Sequence, residues 1–461
     1  MRNVKQYLAT FVFVIFSLNF FYIGIYSASY LIPKSTVFES LNYSQEKGIL
    51  KTPSNSIERS PSGANIDYGT ECVALSIGLK DKEFYSGYKK YLSRFYEGYD
   101  DSGKNLGVFD PCSGLNSILG SGDSKVYEAQ ESYARNWWGI SIIIQLLIFL
   151  FGLATTKMVL FNLLLILIIV FSLQLSKYTK DVKLVFLVVL PFLLFTDLQD
   201  VYQSTPYVLS YIQVFLSGLA MLNYLNRFSF NLRYFFAISL ILGSIYNFIF
   251  WLNFHVAFTF VIVLLFVLHF RRFPFPVIYK RITVFFIGYM LGFICTTIFK
   301  WIISVIIFGN EITETIKFAL NLRLSPGSRG LSESLMNYTD SFSIFPLPIR
   351  AIIINILLFG SKFLDIRYAT FFGVIVIALS LSVVTLYFFH KYNPLHNLSK
   401  FEIIMSMPIL LGPLGYFALT SNHSFNHAGV TYRSIAFVLS GFLSLLYLGK
   451  TRTRTNHVIL N

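Results

Sequence analysis

Long apolar runs separated by short polar gaps extend along most of this chain, from residues 7–32 near its start to 434–448 near its end. A helix needs about 20 apolar residues to cross the roughly 30 Å hydrocarbon core of a bilayer. Ionic residues are almost confined to the gaps. The pattern predicts an all-α integral membrane protein, a polytopic helical bundle of about 10–12 spans.

Composition agrees with this prediction and removes one class of partner. The chain is 55% hydrophobic and 13% charged, whereas soluble domains average about 25% charged residues. The net charge of +14 is a feature of many nucleic-acid-binding proteins, but here the basic residues lie in inter-helix gaps, where they orient helices in a membrane. We therefore predict membrane lipid as a partner and no nucleic acid.

The first apolar run has two interpretations. Arg2 and Lys5 precede it, as basic residues precede the apolar part of a signal peptide. The run is about 26 residues long, however, and ends at Pro33-Lys34 without a small-residue cleavage site. We therefore predict that residues 1–32 form an uncleaved first transmembrane anchor.

The basic gaps predict the topology. Short loops on the cytoplasmic side of a membrane carry an excess of Lys and Arg. This rule places both termini in the cytoplasm, together with the basic gaps at 177–183, 227–233, 271–281 and 391–400. The predicted organisation is an extracytoplasmic loop at 33–136, a transmembrane bundle at 137–448 that includes an extracytoplasmic loop at 309–370, and a basic cytoplasmic tail at 449–461.

Two apolar stretches do not fit that alternation as ordinary spans. Counting residues 138–154 or 348–363 as a full span would move basic gaps to the wrong side. We predict a re-entrant segment or short span for the first. The second is flanked by Arg350 and Lys362, which favours an amphipathic helix in the membrane interface.

The first loop, of roughly 100 residues, is too long to be a simple connector. Its apolar residues from Phe84 to Phe95 recur at helical spacing, which predicts either an amphipathic helix on the membrane surface or a small subdomain packed onto the spans. The loop also carries Cys72 and Cys112. On an oxidising face these two residues could form a disulfide, but spacing alone leaves that open.

Familiar cofactor and catalytic motifs are missing. The chain has no Walker loop, dinucleotide fingerprint, HExxH or nucleophile elbow, so ATP-driven transport and serine hydrolysis lose their usual signatures. His423 and His427 stand four residues apart and could share a metal on a helix, yet no third ligand is evident. We predict no metal and no cofactor.

Polar residues that the topology brings to the extracytoplasmic face are the candidates for chemistry. Lys300 lies inside the apolar run 283–308, where an ammonium group is costly unless it snorkels or meets an anion. Glu71, in the first loop, would ordinarily be a solvated carboxylate. Trp137 and Trp138 would ordinarily belong to the aromatic belt at the membrane interface.

Four segments resemble, in order, the motifs of a family of bacterial polytopic membrane proteins. TECVAL, YARNWWG, FKW and NHSFNHAGVTYR are similar to that family's TDxxxL, YSRYWHG, SKW and NHSxxHxxFTYR, and they span nearly the whole chain. The chain departs from the pattern at several places, including the following three. Glu71 replaces an Asp, Trp138 stands where the family has His, and Val430 replaces a Phe.

The layout also resembles the GT-C glycosyltransferases, in which a long extracytoplasmic loop with an acidic residue follows the first helix. The resemblance implies an enzyme of the bacterial inner membrane that moves a sugar from a polyprenyl-phosphate donor to a cell-surface glycan such as O-antigen. It implies Glu71 as catalytic base, with Asp67 and Asp200 in reserve. The implied substrate-binding residues are Arg135, Trp138, Lys300, Arg323, His423, His427 and Arg433.

Two other functions use the same residues. Cationic groups in a membrane cavity would equally suit a flippase or exporter of an anionic lipid-linked saccharide, and a surface-polysaccharide polymerase or ligase stays closer to the transferase. A transferase needs a titratable base beside the acceptor hydroxyl, whereas a transporter tolerates Gln at the same position. The effect of replacing Glu71 with Gln would therefore distinguish an enzyme from a transporter.

Overall fold

The computed structural model describes the greater part of the chain up to residue 360 and scattered positions beyond it. The described residues are 2–52, 57–59, 65–76, 79, 95–97, 112, 115–116, 119, 130–132, 137, 139–195, 201–227, 231–250, 275–309, 312–313, 316–317, 346–360, 414–415, 417–418, 435–436, 439–440, 443–444 and 447.

Helices make up nearly all of the described part. They are α1 Arg2–Ala28, α2 Lys34–Glu46, α3 Tyr68–Ser76, α4 Gly139–Thr179, α5 Val182–Phe195, α6 Thr205–Arg227, α7 Leu232–Phe250, α8 Phe275–Phe308 and α9 Leu347–Gly360. A 3₁₀ turn, Ser29–Leu31, ends α1. Four three-residue strands lie in the first loop, namely β1 Ile57–Arg59, β2 Asn65–Asp67, β3 Phe95–Glu97 and β4 Gln130–Ser132.

The strands form two antiparallel pairs. Ile57 of β1 lies opposite Asp67 of β2, and Phe95 of β3 lies opposite Ser132 of β4. Phe95 is therefore in a strand and not at the end of a surface helix, as its spacing predicted, because pairing with a segment about 35 residues away outweighs local periodicity. The rest of that predicted helix lies outside the described residues.

Five of the described helices are long and apolar enough to cross a membrane. The qualifying segments are Val4–Leu31, Gly139–Thr179, Thr205–Tyr224, Leu232–Ile249 and Tyr279–Phe308. Two shorter apolar segments are Val182–Leu193 and Leu347–Ile356. The helical membrane character predicted from the apolar runs is thus confirmed, while the count of ten to twelve spans involves residues outside the described part and stays a prediction.

Helix α4 is broken near its start. Gly152 has φ 74° and ψ 164°, a conformation that glycine adopts without strain. The part before it, 139–151, is about 20 Å long, too short for a hydrocarbon core of about 30 Å. The part after it, 153–179, begins with the N–H of Leu153, which donates to Ser40 Oγ of α2 at 3.2 Å. Gly152 thus separates residues 139–151 from the rest of α4, and their assignment as a re-entrant segment or short span stays a prediction.

Helices α1, α7 and α8 run in the same direction. Arg233 Nε, at the start of α7, donates to Thr10 Oγ1 of α1 at 2.9 Å. Toward the other end, the hydroxyls of Tyr22 in α1 and Ser244 in α7 lie 3.1 Å apart, and Ser244 Oγ lies 2.7 Å from Thr296 Oγ1 of α8. The three helices therefore share one polar seam along a mostly apolar contact.

Glycines let α7 and α8 approach backbone to backbone. A Cβ added at Gly292 would lie 2.2 Å from the carbonyl oxygen of Leu240, and one at Gly243 would lie 2.1 Å from that of Tyr289. No side chain fits in either place. Small residues at helix contacts are the usual route to close packing within a membrane, where no hydrophobic effect draws helices together.

The basic gaps meet at one end of the bundle. Arg281, near the start of α8, lies within electrostatic reach of Tyr178 at the end of α4 and Tyr224 near the end of α6. Near the C-terminus, Tyr447 donates its hydroxyl to Asp181 Oδ1 at 3.3 Å. We refer to this end, where the described residues of gaps 177–183, 227–233 and 280–281 converge, as the basic end. Which side of the membrane it faces stays a prediction.

At the opposite end, α3 packs into the bundle. Cys72 and Cys112 form a disulfide and are both fully buried. All residues of α3 except Thr70 are buried, against α4 and α6. The first loop thus contributes a packed element to the spans, and the sulfur pairing that the sequence left open is made.

Candidate functional site

Two of the predicted site residues have described side chains, Glu71 and Lys300. Asp67 ends strand β2, directly before α3, and only its backbone is described. The remaining predictions lie outside the described residues and stay predictions. They are Asp200, Arg135, Trp138, Arg323, His423, His427 and Arg433.

Glu71 lies at a junction of three helices. It belongs to the first turn of α3 and is 1% exposed. Its Oε2 accepts hydrogen bonds from the backbone N–H and the hydroxyl of Thr205 in α6, both at 2.7 Å. Its Oε1 lies 3.4 Å from Lys157 Nζ of α4. We call Glu71, Lys157, Gln203, Ser204 and Thr205 the glutamate cluster.

The carboxylate of Glu71 caps the start of α6. The first N–H groups of a helix have no partner within it, and the helix dipole favours an anion there. Pro206 removes one of these donors, because proline has no N–H. Glu71 satisfies the N–H of Thr205 from a position 134 residues earlier in the chain. Ser204 occupies the capping position, yet its hydroxyl makes no hydrogen bond among the described residues.

Lys157 compensates the buried carboxylate. Its side chain is 6% exposed, and its Nζ also donates to the carbonyl oxygen of Gln203 at 2.9 Å. Removing one partner of a buried ion pair typically costs about 3–5 kcal/mol, because the other charge stays buried without compensation. Glu71 and Lys157 therefore hold α3, α4 and α6 together.

Lys300 lies in a second cluster, between α8, α1 and the residues before α4. It is fully buried, and its Nζ lies 4.6 Å from the ring centre of Trp137 and 5.1 Å from that of Tyr26. An ammonium group over aromatic faces is stabilised by the ring quadrupole. We call Tyr22, Tyr26, Trp137, Thr296 and Lys300 the lysine cluster.

Hydrogen bonds fix the aromatic groups around Lys300. Trp137 Nε1 donates to the carbonyl oxygen of Thr296 at 3.4 Å, and Thr296 is one helical turn before Lys300. The ring of Tyr22 stacks on Phe248 with 4.1 Å between ring centres. Trp137 is 1% exposed, so it packs inside the bundle and does not belong to an interfacial belt, the ordinary interpretation of its sequence position.

Both clusters lie at the end of the bundle away from the basic end. Thr205 begins α6, whereas Tyr224, near the end of that helix, interacts with Arg281. Likewise, Lys300 contacts Tyr26 in the last turn of α1, whereas Thr10 near the first turns of α1 contacts Arg233. Two embedded ammonium groups and one carboxylate therefore share one end of the molecule.

Sequence reasoning missed Lys157 and Thr205. Lys157 had a usable signal, since it interrupts an apolar run as Lys300 does and the same energetic rule applies to both. Thr205 had none, because its role depends on contact with a distant carboxylate. In the part of the chain that the structure describes, no group of three or more His, Cys, Asp or Glu could hold a metal ion.

The spanning helices and the buried ionic clusters at their junctions define the class of protein, a helical integral membrane protein. Comparison of the chain with protein-family models, with curated proteins and with solved structures gave no match.

Proposed function

We propose that the protein is a membrane glycosyltransferase of GT-C-like layout, which moves a sugar from a polyprenyl-phosphate donor to a cell-surface glycan on the extracytoplasmic face. One observation carries the proposal. The acidic helix of the first loop is inserted among the spans, at the same end as two buried ammonium groups and away from the basic end. The resemblance of four segments, in order, to the motifs of a bacterial membrane protein family also supports the proposal.

The proposed reaction needs an acid–base group and cations. The acceptor hydroxyl attacks the anomeric carbon, the bond from that carbon to the phosphate oxygen breaks, and a base takes the hydroxyl proton. General-base assistance typically contributes about 10²–10⁴-fold. Lys and Arg side chains hold a phosphate leaving group through charge-assisted hydrogen bonds. Glu71 is the proposed base and Lys300 a proposed phosphate ligand, together with Arg135, Arg323 and Arg433.

A flippase or exporter of a lipid-linked saccharide is the second candidate, and the geometry of Glu71 favours it. The carboxylate is 1% exposed and engages Thr205 and Lys157. A carrier needs no free base, whereas a transferase requires that this pairing open or that another carboxylate serve. Asp67, four residues earlier, is the nearest alternative along the chain.

Transfer by membrane fractions from a panel of polyprenyl-phosphate sugars tests the proposal. We expect Glu71→Gln to lower turnover by about 10²–10⁴-fold, the usual worth of a general base. Glu39→Gln makes the same change on the exposed face of α2 and should leave turnover unchanged. If Asp67→Asn loses turnover and Glu71→Gln does not, Asp67 is the base. Full turnover in both variants would remove Glu71 and Asp67 as bases and leave Asp200 as the remaining candidate, and saccharide movement without transfer would establish the carrier.

Lys300→Met provides a second arm of the same test. A lost phosphate ligand should weaken donor binding by about tenfold, equivalent to about 1.4 kcal/mol, with Lys280→Met at an exposed position of α8 as control. Donor titration against purified protein measures it. Unchanged donor affinity with lowered stability would make Lys300 a structural residue of the aromatic cluster.

A further inference from the structure

The glutamate cluster combines three sources of positive potential. Helix α6 begins at Thr205, and the second part of α4 begins at Leu153, four residues before Lys157. The two helices start side by side, because Lys157 Nζ reaches the carbonyl oxygen of Gln203 just before α6. Each helix N-terminus carries a partial positive charge of about half an elementary charge, and Lys157 adds a full one. The described anion that faces them is Glu71.

The hydroxyl of Ser204, a member of this cluster, lacks a partner among the described residues. Ser204 is 3% exposed, and its hydroxyl makes no hydrogen bond there. Ser204 stands at the capping position of α6, next to Thr205, whose N–H donates to Glu71 Oε2. Buried polar groups are nearly always satisfied, so an unpartnered hydroxyl at this helix start is consistent with a ligand that has several acceptor oxygens.

We propose that the glutamate cluster is a phosphate-binding site that the Glu71 carboxylate fills when no donor is bound. A phosphate group would take the N–H and hydroxyl of Thr205, the hydroxyl of Ser204 and the ammonium group of Lys157. Helix starts, hydroxyls and a lysine are the groups that bind phosphate in proteins. Carboxylate and phosphate compete for the same donors, so binding of one releases the other.

This step rests on the proposed transferase function. The exchange determines when Glu71 becomes available as a base. Arrival of the donor phosphate at this site, as an alternative to its binding at Lys300, frees the carboxylate from Thr205 and Lys157. In the transfer step the acceptor oxygen bonds to the anomeric carbon, the electron pair of the broken bond leaves on the polyprenyl phosphate, and Glu71 takes the acceptor proton. The base is therefore released only when its substrate is in place.

Binding of polyprenyl monophosphate to the purified full-length protein in detergent tests the site. This probe carries no sugar and needs no acceptor. We expect Glu71→Gln to tighten its binding by about tenfold or more, because the competing charge is gone. Lys157→Met should weaken it by a similar factor, while Glu39→Gln and Lys177→Met, at exposed positions of α2 and α4, should leave it unchanged. Unchanged or weaker binding in Glu71→Gln overturns the proposal.

Ser204→Ala keeps the test decisive if Glu71→Gln does not fold. Its hydroxyl makes no hydrogen bond among the described residues, so its removal should leave the fold intact and weaken phosphate binding several-fold. If Ser204→Ala binds polyprenyl monophosphate with unchanged affinity, the proposed phosphate site is wrong. Inorganic phosphate and neutral polyprenol, used as competitors, show whether the headgroup suffices or the lipid tail is needed. A positive binding result without any sugar transfer would reject the transferase and keep the phosphate site.

Discussion

Lys157 and Lys300 are both buried in the described part of the bundle, and they contact different kinds of group. Lys157 pairs with a carboxylate and a backbone carbonyl, whereas Lys300 lies over the rings of Trp137 and Tyr26. Insertion of a lysine at the centre of a spanning helix costs about 2.5–3.5 kcal/mol. The ion pair ties Lys157 of α4 to Glu71 of α3, whereas the aromatic contacts of Lys300 join α8 to α1 and to Trp137 before α4.

The Glu71–Lys157 pair allows a double-mutant test. We expect Lys157→Met to lower the free energy of unfolding by about 3–5 kcal/mol, since Glu71 would stay buried without its counter-charge. The combination Glu71→Gln with Lys157→Met leaves no unpaired charge and should recover most of that loss. Unfolding in mixed detergent micelles measures both, with exposed Lys177→Met within about 0.5 kcal/mol of wild type. Additive losses in the double variant would show that the pair does not couple the helices.

Two features of the helices shape the end of the bundle that carries the two clusters. They are the backbone contact between α7 and α8 and the break in α4. Close approach at Gly243 and Gly292 brings Ser244 within 2.7 Å of Thr296, which places the hydroxyl chain beside Lys300. The break at Gly152 starts a new helix four residues before Lys157. Irregular backbone within a membrane is tolerated only where protein or a cavity surrounds it. Both features therefore lie next to the clusters they position.

Gly292 and Gly24 make a matched pair for testing helix packing. A leucine at Gly292 would force apart α7 and α8, because its Cβ alone would lie 2.2 Å from the Leu240 carbonyl oxygen. We expect Gly292→Leu to destabilise by about 3 kcal/mol, at the upper end of overpacking effects. A Cβ added at Gly24 would meet no atom within 4 Å, so Gly24→Leu should be neutral within about 0.5 kcal/mol. Thermal unfolding in detergent compares them, and equal midpoints would refute the close contact.

The whole molecule has two chemically different ends. Among the described residues, the Lys/Arg-rich segments at the end of α4 and the start of α8 meet near Arg281, while the disulfide-anchored α3, the glutamate cluster and the lysine cluster lie at the other end. The positive-inside rule predicts that the basic end faces the cytoplasm. The disulfide agrees with that prediction, since such bonds persist on oxidising faces.

Labelling of single cysteines decides the orientation. Glu46 on α2 and Lys180 after α4 are both exposed and lie toward opposite ends of the bundle. With Cys295 replaced by Ala, we expect a membrane-impermeant maleimide to label Glu46→Cys in intact cells and Lys180→Cys only after permeabilisation. The reverse pattern would invert the topology and remove the extracytoplasmic site.

Features that depend on short stretches of chain could be predicted from the sequence. Spanning helices follow from apolar length, which is a local property. The cost of burying Lys300 is likewise a local property, so Lys300 could be selected as a candidate from the sequence alone. Charge alternation set the stretch 138–154 apart from the ordinary spans, and a break at Gly152 separates residues 139–151 from the rest of α4. The roles given to the candidate site residues all stay predictions, for Glu71, Asp67, Asp200, Arg135, Trp138, Lys300, Arg323, His423, His427 and Arg433 alike.

Contacts between distant segments required the tertiary structure. Glu71 meets Thr205 across 134 residues, and Trp137 donates to the carbonyl oxygen of Thr296 across 159. The pairing of Cys72 with Cys112, left open by spacing, also depends on how the loop packs. Apolar periodicity identifies which segments enter the membrane, but it carries no information on their neighbours. The partners of each buried charge are set by packing, and in this protein those partners distinguish a free carboxylate from one that is already engaged.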